Sequence, residues 1–224
     1  MASHAPQTDL STGQDPTRER LLDAAERLFA ESGYAGTSIR DLTAEAGCNI
    51  AAVNYHFGGK DALYQQVYLR RLRIVRQQRL RKIRRVMAGE EGDVNLERLL
   101  TAFANVFVEP VLSESSGRRL MQLLMREMTD PRLPRDLFIR EAIRPVQQAL
   151  REALQQVAPE LTPTQAELCV HSFVAQLIHI LQVRQMLVSS EGDHRWPVLD
   201  LEQAVDHVVR FSIAGVRGIA THQD

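Results

Sequence analysis

The stretch from Thr37 to Lys60, TSIRDLTAEAGCNIAAVNYHFGGK, constrains the chain most, because it reads as two short helices around a tight turn followed at once by a third helix. Thr37 can cap a helix whose apolar positions Ile39, Leu42 and Ala46 recur at three- and four-residue spacing, and Gly47 can end it. In the next helix Ile50, Val53 and Phe57 fall on one stripe at about 100° per residue, which predicts that all three face neighbouring helices. The opposite face carries Ala51, Ala52, Tyr55 and His56. The alanines leave the backbone free to approach a groove wall, and the phenol and imidazole offer hydrogen-bonding groups to bases or phosphates. Gly58 and Gly59 then break the helix.

The remaining periodicities are helical too. Pro16 precedes an amphipathic stripe of Leu21, Leu22, Ala25, Leu28 and Phe29 that ends at Ser32-Gly33. A long helix from Lys60 carries the basic run Arg70 to Arg85 and keeps Leu69, Leu72, Leu80 and Ile83 on one side, so the arginines read as its solvated face. After the linker MAGEEGDVN come helices around Leu96 to Phe107, Leu120 to Met128, and Leu137 to Val157, the last with Pro145 expected to kink it or mark an early turn. Thr162-Pro163 opens a helix to about Val188, the loop SSEGDHRWP follows, and a final helix runs from Leu201 to about Ile219. The fold class is therefore all-α, with about nine helices.

Charge is unevenly distributed. Residues 1–85 hold 14 Lys/Arg against 9 Asp/Glu, whereas residues 86–224 hold 13 against 19, a split that suits a nucleic-acid-facing head on a body that avoids DNA. Cys48 and Cys169 are too few and too scattered for a disulfide framework or a metal site, and both are expected as buried, reduced thiols. No apolar run approaches the roughly 18–20 residues of a membrane helix without interruption by His, Gln or Arg. The first fifteen residues resemble no signal peptide, so a cytoplasmic location is expected. GxSxG, GxGxxG, P-loop and HExxH patterns are absent, and an enzyme is not expected; neither is a cofactor.

Residues 17–64, TRERLLDAAERLFAESGYAGTSIRDLTAEAGCNIAAVNYHFGGKDALY, resemble the amino-terminal domain of a TetR-family transcriptional regulator. The resemblance rests on AAxxLFxxxGYxxTS, IRDLTAEAG and YHFGGKDALY standing in order and at family spacing. It implies a tail at residues 1–15, a helix-turn-helix domain at 16–76 with its motif at about 38–57, and a ligand-binding and dimerisation domain at 77–224. The helix beginning near Asn49 would enter the major groove. Thr37 and Lys60 would position the domain on phosphates, and Ala51, Ala52, Tyr55 and His56 would face the groove. Asn54 stands where many relatives carry a phosphate-binding Tyr. Tyr55 could instead pack its ring between helices, and His56 could be merely solvated. Ile50 reads as core packing, although its family slot often faces DNA. Arg40 could reach phosphate or pair with Asp41 or Glu45.

In such a regulator the body binds a small, often apolar molecule that releases the DNA. Phe103, Phe107, Met121, Met125, Met128, Phe138, Phe173, Gln176 and His179 are the candidate ligand residues, with ordinary helical core as the competing reading. The carboxyl-terminal half is similar to the CecR-like branch, which implies a repressor responding to a xenobiotic or lipid-like compound, while another branch that shares the VNYHFGGK exit responds to fatty acyl compounds. The last two helices, with Val205, Val209, Ile213, Ala214 and Val216, are the expected homodimer interface. The alternative is a relative that has lost DNA binding and acts as a ligand scavenger or through protein contacts.

Overall fold

The computed structural model describes residues 15–90, 92–112, 116–189 and 200–221; the expected tail, apart from Asp15, and most of the expected loop SSEGDHRWP lie outside them. Among the described residues every regular element is helical. We number them α1 (Pro16–Ser32), α2 (Ile39–Glu45), α3 (Ala51–Phe57), α4 (Lys60–Met87), α5 (Leu96–Leu112), α6 (Ser116–Thr129), α7, α8 (Pro163–Ser189) and α9 (Leu201–Thr221). The seventh is continuous but composite: Arg135–Phe138, the π-helical Ile139–Ile143 and Arg144–Val157. The chain is thus all-α with nine helices among the described residues, as expected. It forms two compact units that part between Val67 and Tyr68, inside α4 and ahead of the boundary at residue 76 read from the sequence.

In the first unit, α1 starts where Asp15 Oδ1 accepts the Thr17 amide at 2.9 Å and Pro16 supplies a pre-set φ. It buries Leu21, Leu22, Ala25 and Phe29. Phe29 meets the Tyr64 ring edge-on at 5.0 Å, and Tyr34 meets the same ring at 5.3 Å. Lys60 Nζ donates to the Tyr34 carbonyl at 2.6 Å and sits 3.9 Å from that ring, while the Tyr34 hydroxyl donates to Asp61. These bonds fix the first turn of α4 to the segment after α1.

The α2 cap differs from the sequence expectation. Ser38, not Thr37, caps the helix: its Oγ accepts the Asp41 amide at 3.1 Å, and Asp41 Oδ2 accepts the Ser38 amide at 2.8 Å. The reciprocal pair needs an acceptor three residues on, which Ser38 has in Asp41 and Thr37 lacks. Gly47, at φ 61°, then turns the chain toward α3 in a conformation L side chains rarely adopt. Asn49 Oδ1 accepts the Ala51 amide at 2.9 Å to start α3, and Gly58 ends it.

In the second unit α5 lies within the core, contributing Leu99, Leu100, Phe103, Ala104 and Phe107. Around it pack Val146, Leu150 and Leu154 of α7, Val170, Phe173 and Leu177 of α8, and Val205, Val209 and Val216 of α9. Full burial of each phenyl ring contributes roughly 1.5–3 kcal/mol. The helix starts are capped: Asn95 accepts the Arg98 amide, Thr162 and Gln165 form a reciprocal pair ahead of Pro163, and Asp200 accepts the Gln203 amide.

Pro145 sits in the first turn of the last segment of α7, directly after the π turn. Having no amide hydrogen, it cannot serve the carbonyl of Glu141 four residues back. That carbonyl accepts from Arg76 Nη1 of α4 at 2.9 Å.

One expectation needs correction. Over 22 residues, Pro163–Arg184, α8 has a mean hydropathy of 1.3 and by length and composition alone is apolar enough to cross a membrane. His171, Gln176, His179 and Gln182 interrupt the apolar run, but only Glu167 and Arg184 bring charge into it. Val170, Phe173 and Leu177 of this stretch are buried in the chain's own core.

Candidate nucleic-acid interface and ligand cavity

The face of α3 divides sharply. Val53 is fully buried, which seats the helix against the rest of its unit, whereas Tyr55 is 83% exposed. Ala51 and Asn54 are exposed beside it and Ala52 is half-buried. Asn49, just before the helix, is exposed but spends its Oδ1 on the Ala51 amide. An exposed phenol, a carboxamide and small residues at the start of a helix form a surface able to enter a groove. On α2, Arg40 is exposed as well. Its two expected carboxylate neighbours are engaged elsewhere: Asp41 with Ser38, and Glu45 with Arg27 at 2.6 Å. The hydrogen bonds from Ser38 hold the Asp41 carboxyl below its ordinary pKa.

Within the second unit lies a cavity of about 560 Å³. Its wall is apolar over most of its extent, built from Leu72 and Val75 of α4, Phe103, Phe107 and Pro110 of α5, Leu120 and Leu124 of α6, and Phe138, Ile143, Val146 and Leu150 of α7, with Val174, Ile178 and Leu181 of α8 opposite. A space of this size and lining suits a small apolar molecule. The polar members of the wall are Arg76, Arg79, Glu127, Gln147 and Gln182. Arg76 is paired with the Glu141 carboxylate at 3.0 Å, and Glu127 Oε1 accepts the amides of Arg132 and Leu133.

The family model for bacterial regulatory proteins of the tetR family matches residues 21–67, and that for the tetracyclin repressor-like carboxyl-terminal domain matches residues 101–215. The HTH-type transcriptional repressor Rv3405c of Mycobacterium tuberculosis is 32% identical over 190 residues, spanning 77% of this chain and 96% of that protein. This chain belongs to the TetR family of transcriptional regulators. The HTH-type transcriptional repressor KstR2 of Rhodococcus jostii is 32% identical over 97 residues, 43% of this chain and 46% of its own. Two solved structures share the fold. A TetR-family regulator from Mesorhizobium loti superposes with a TM-score of 0.69 at 19% identity, covering 91% of this chain and 98% of that one. The fatty acid degradation regulator FadR from Bacillus halodurans gives 0.64 at 17%, covering 92% and 99%.

With the TetR fold in place, several residues stand differently from their sequence expectation. Ile50, expected in the core, is 51% exposed at the N-cap of α3, where it ends the stripe beyond the buried Val53. His56, expected toward the groove, has 11% of its side chain exposed and sets Nδ1 3.8 Å from Asp15 Oδ2. Thr37, expected to contact phosphate, is buried, its hydroxyl 2.8 Å from the Gly33 carbonyl and its amide donating to the Tyr34 carbonyl at 3.3 Å. The Lys60 ammonium is bonded to Tyr34.

Among the candidate ligand residues, Phe103, Phe107 and Phe138 line the cavity. Phe173 is buried behind Phe103, ring centroids 6.0 Å apart, and packs the core. Gln176 and His179 line a shallow depression beside Asp200, Gln203 and His207 instead, because they project from a face of α8 turned away from Val174, Ile178 and Leu181. The side chains of Met121, Met125 and Met128 lie outside the described set.

At the expected dimer face, Val205, Val209 and Val216 are buried in the chain's own core and Ile213 packs against it. Ala214 is exposed. The apolar period of α9 marked its inward side. Cys48 and Cys169 are half-buried, and burial raises the Cys169 thiol pKa.

Arg76 and Arg79 are the site residues the sequence reading missed. The signal was present: Leu72, Ile83 and Val86 are buried, and 72, 76, 79, 83 and 86 alternate steps of four and three. Two arginines of the basic run therefore occupy inward positions on α4, not its solvated face.

Proposed function

We propose that this chain is a homodimeric transcriptional repressor that binds a palindromic operator through α3 and is released by a small, mainly apolar effector held in the cavity. The observation that carries the reading is the uncovered face of α3, where Tyr55, Asn54, Ala51 and Ile50 are exposed around a helix anchored by Val53. Tyr55 and Asn54 would contact the groove, and Arg40 would reach phosphate. The repressor names of its mycobacterial and rhodococcal relatives support the sign of regulation. A cytoplasmic location follows from that role.

Dimerisation would use the outer faces of α8 and α9. There Leu168 and Phe211 are each 61% exposed, and an added Cβ at Gly215 or Gly218 meets open space. Large apolar side chains beside small residues favour close helix packing with a second copy. Binding of the effector would trade against DNA affinity through reciprocal coupling, with α4 as the element that supplies both Lys60 and part of the cavity wall. Footprinting on the DNA upstream of its own gene at low salt tests the reading: a protected palindrome is expected, and absence of protection would overturn it.

A further inference from the structure

We infer that the effector of this regulator is an amphiphilic organic anion, an apolar body ending in one carboxylate that ion-pairs with Arg79. The inference rests on the effector cavity just proposed and specifies the chemistry it selects.

Arg79 stands in the cavity wall, its guanidinium carbon 3.8 Å from the Phe107 ring centroid. Its hydrogen bond to protein among the described residues is one long contact, 3.4 Å from Nη2 to the Phe107 carbonyl. Its Nε is shielded from solvent without a partner. No carboxylate among the described residues pairs with it. The acidic residue of the wall, Glu127, accepts the amides of Arg132 and Leu133, and Glu141 is paired with Arg76. Burial pushes the Arg79 guanidinium down to about 10, the direction expected of a cation whose surroundings supply no counter-charge. At neutral pH it nevertheless stays charged.

A half-buried cation set in an apolar wall, with no carboxylate beside it among the described residues, is costly to a fold, and an anion arriving there offsets the cost. The rest of the wall decides what else that anion carries. Apart from Gln147 and Gln182 the remaining wall, with Leu72, Val75, Phe103, Phe107, Leu150 and Leu181, offers no side-chain hydrogen bonds, so it suits a mainly hydrocarbon body, and a multiply charged or sugar-rich ligand would be poorly satisfied. Planar guanidinium and planar carboxylate match in two parallel bonds, which makes a carboxylate the preferred headgroup.

Titration calorimetry on the full-length protein with dodecanoate, dodecan-1-ol and dodecyltrimethylammonium, all below micelle formation, tests this. Dodecanoate should bind about ten- to a hundredfold more tightly than the alcohol, with the ammonium weakest. Arg79→Gln should bring the acid-to-alcohol ratio below about threefold, chiefly by weakening the acid, while Arg79→Lys retains part of the preference. Should Arg79→Gln fail to fold, the wild-type ratio decides alone. Equal or tighter binding of the alcohol or the ammonium overturns the anion inference and leaves the effector cavity standing. If none of the three binds, the cavity reading falls, and the inference with it.

Discussion

Arg76 holds Glu141 twice, taking its backbone carbonyl at 2.9 Å and its carboxylate at 3.0 Å with the same Nη1. Pro145 cannot supply an amide to that carbonyl, and a side chain of α4 donates to it from outside the helix. Arg76→Ala should therefore destabilise the protein by about 1–3 kcal/mol. Glu141→Ala should cost less, since the carbonyl bond survives. Urea unfolding of the two variants checks the order; equal losses would mean the backbone contact contributes nothing.

Gly36 approaches the end of α1 so closely that an added Cβ would lie 2.4 Å from the Ser32 carbonyl oxygen. Backbone atoms cannot rotate aside as a flexible side chain can. Gly36→Ala should lower the stability of the first unit by roughly 1–3 kcal/mol, read as an earlier thermal transition. An unchanged melting curve would show that the segment relaxes without cost.

The Ser38–Asp41 pair makes a pH-dependent contribution. Because the folded carboxyl is held below its ordinary value of 3.8, its contribution is complete above that value and is lost as pH falls through the lowered folded pKa. Asp41→Asn should lower the melting temperature at pH 7 and have a smaller effect near pH 3. Equal shifts at both values would place the effect elsewhere than in ionisation.

Leu168→Glu and Phe211→Asp should weaken self-association measured by sedimentation, because both side chains are exposed in the single chain. Val209→Ala should instead reduce stability, being 5% exposed within the chain's own core. A monomer produced by Val209→Ala but not by the surface variants would reverse this assignment of faces.

Much of this fold was legible because its helices carry strong local signals: Pro16, Gly33, Gly47, Gly58 and Thr162-Pro163 stand at real helix boundaries. Finer features depended on tertiary context. Ile50 shares a helical period with Val53, yet at the cap of α3 it is 51% exposed: a period names a face and not how far along that face the packing extends. Val205 and Val209 read as apolar face, and periodicity cannot say whether such a face meets its own chain or another. Arg76 and Arg79 were hidden by composition: an arginine-rich run suggests a solvated surface, although both stand in step with the apolar positions 72, 83 and 86. Gln176 and His179 erred by one helical face, which sequence spacing on a buried helix leaves open.

The most direct test of the central claim concerns Tyr55 on the free face of α3. Fluorescence anisotropy with the protected operator sequence should show Tyr55→Ala binding about ten- to a hundredfold more weakly than the unaltered protein, with circular dichroism and melting temperature unchanged. Undiminished affinity in that variant would contradict the assignment of α3 as the surface that reads DNA.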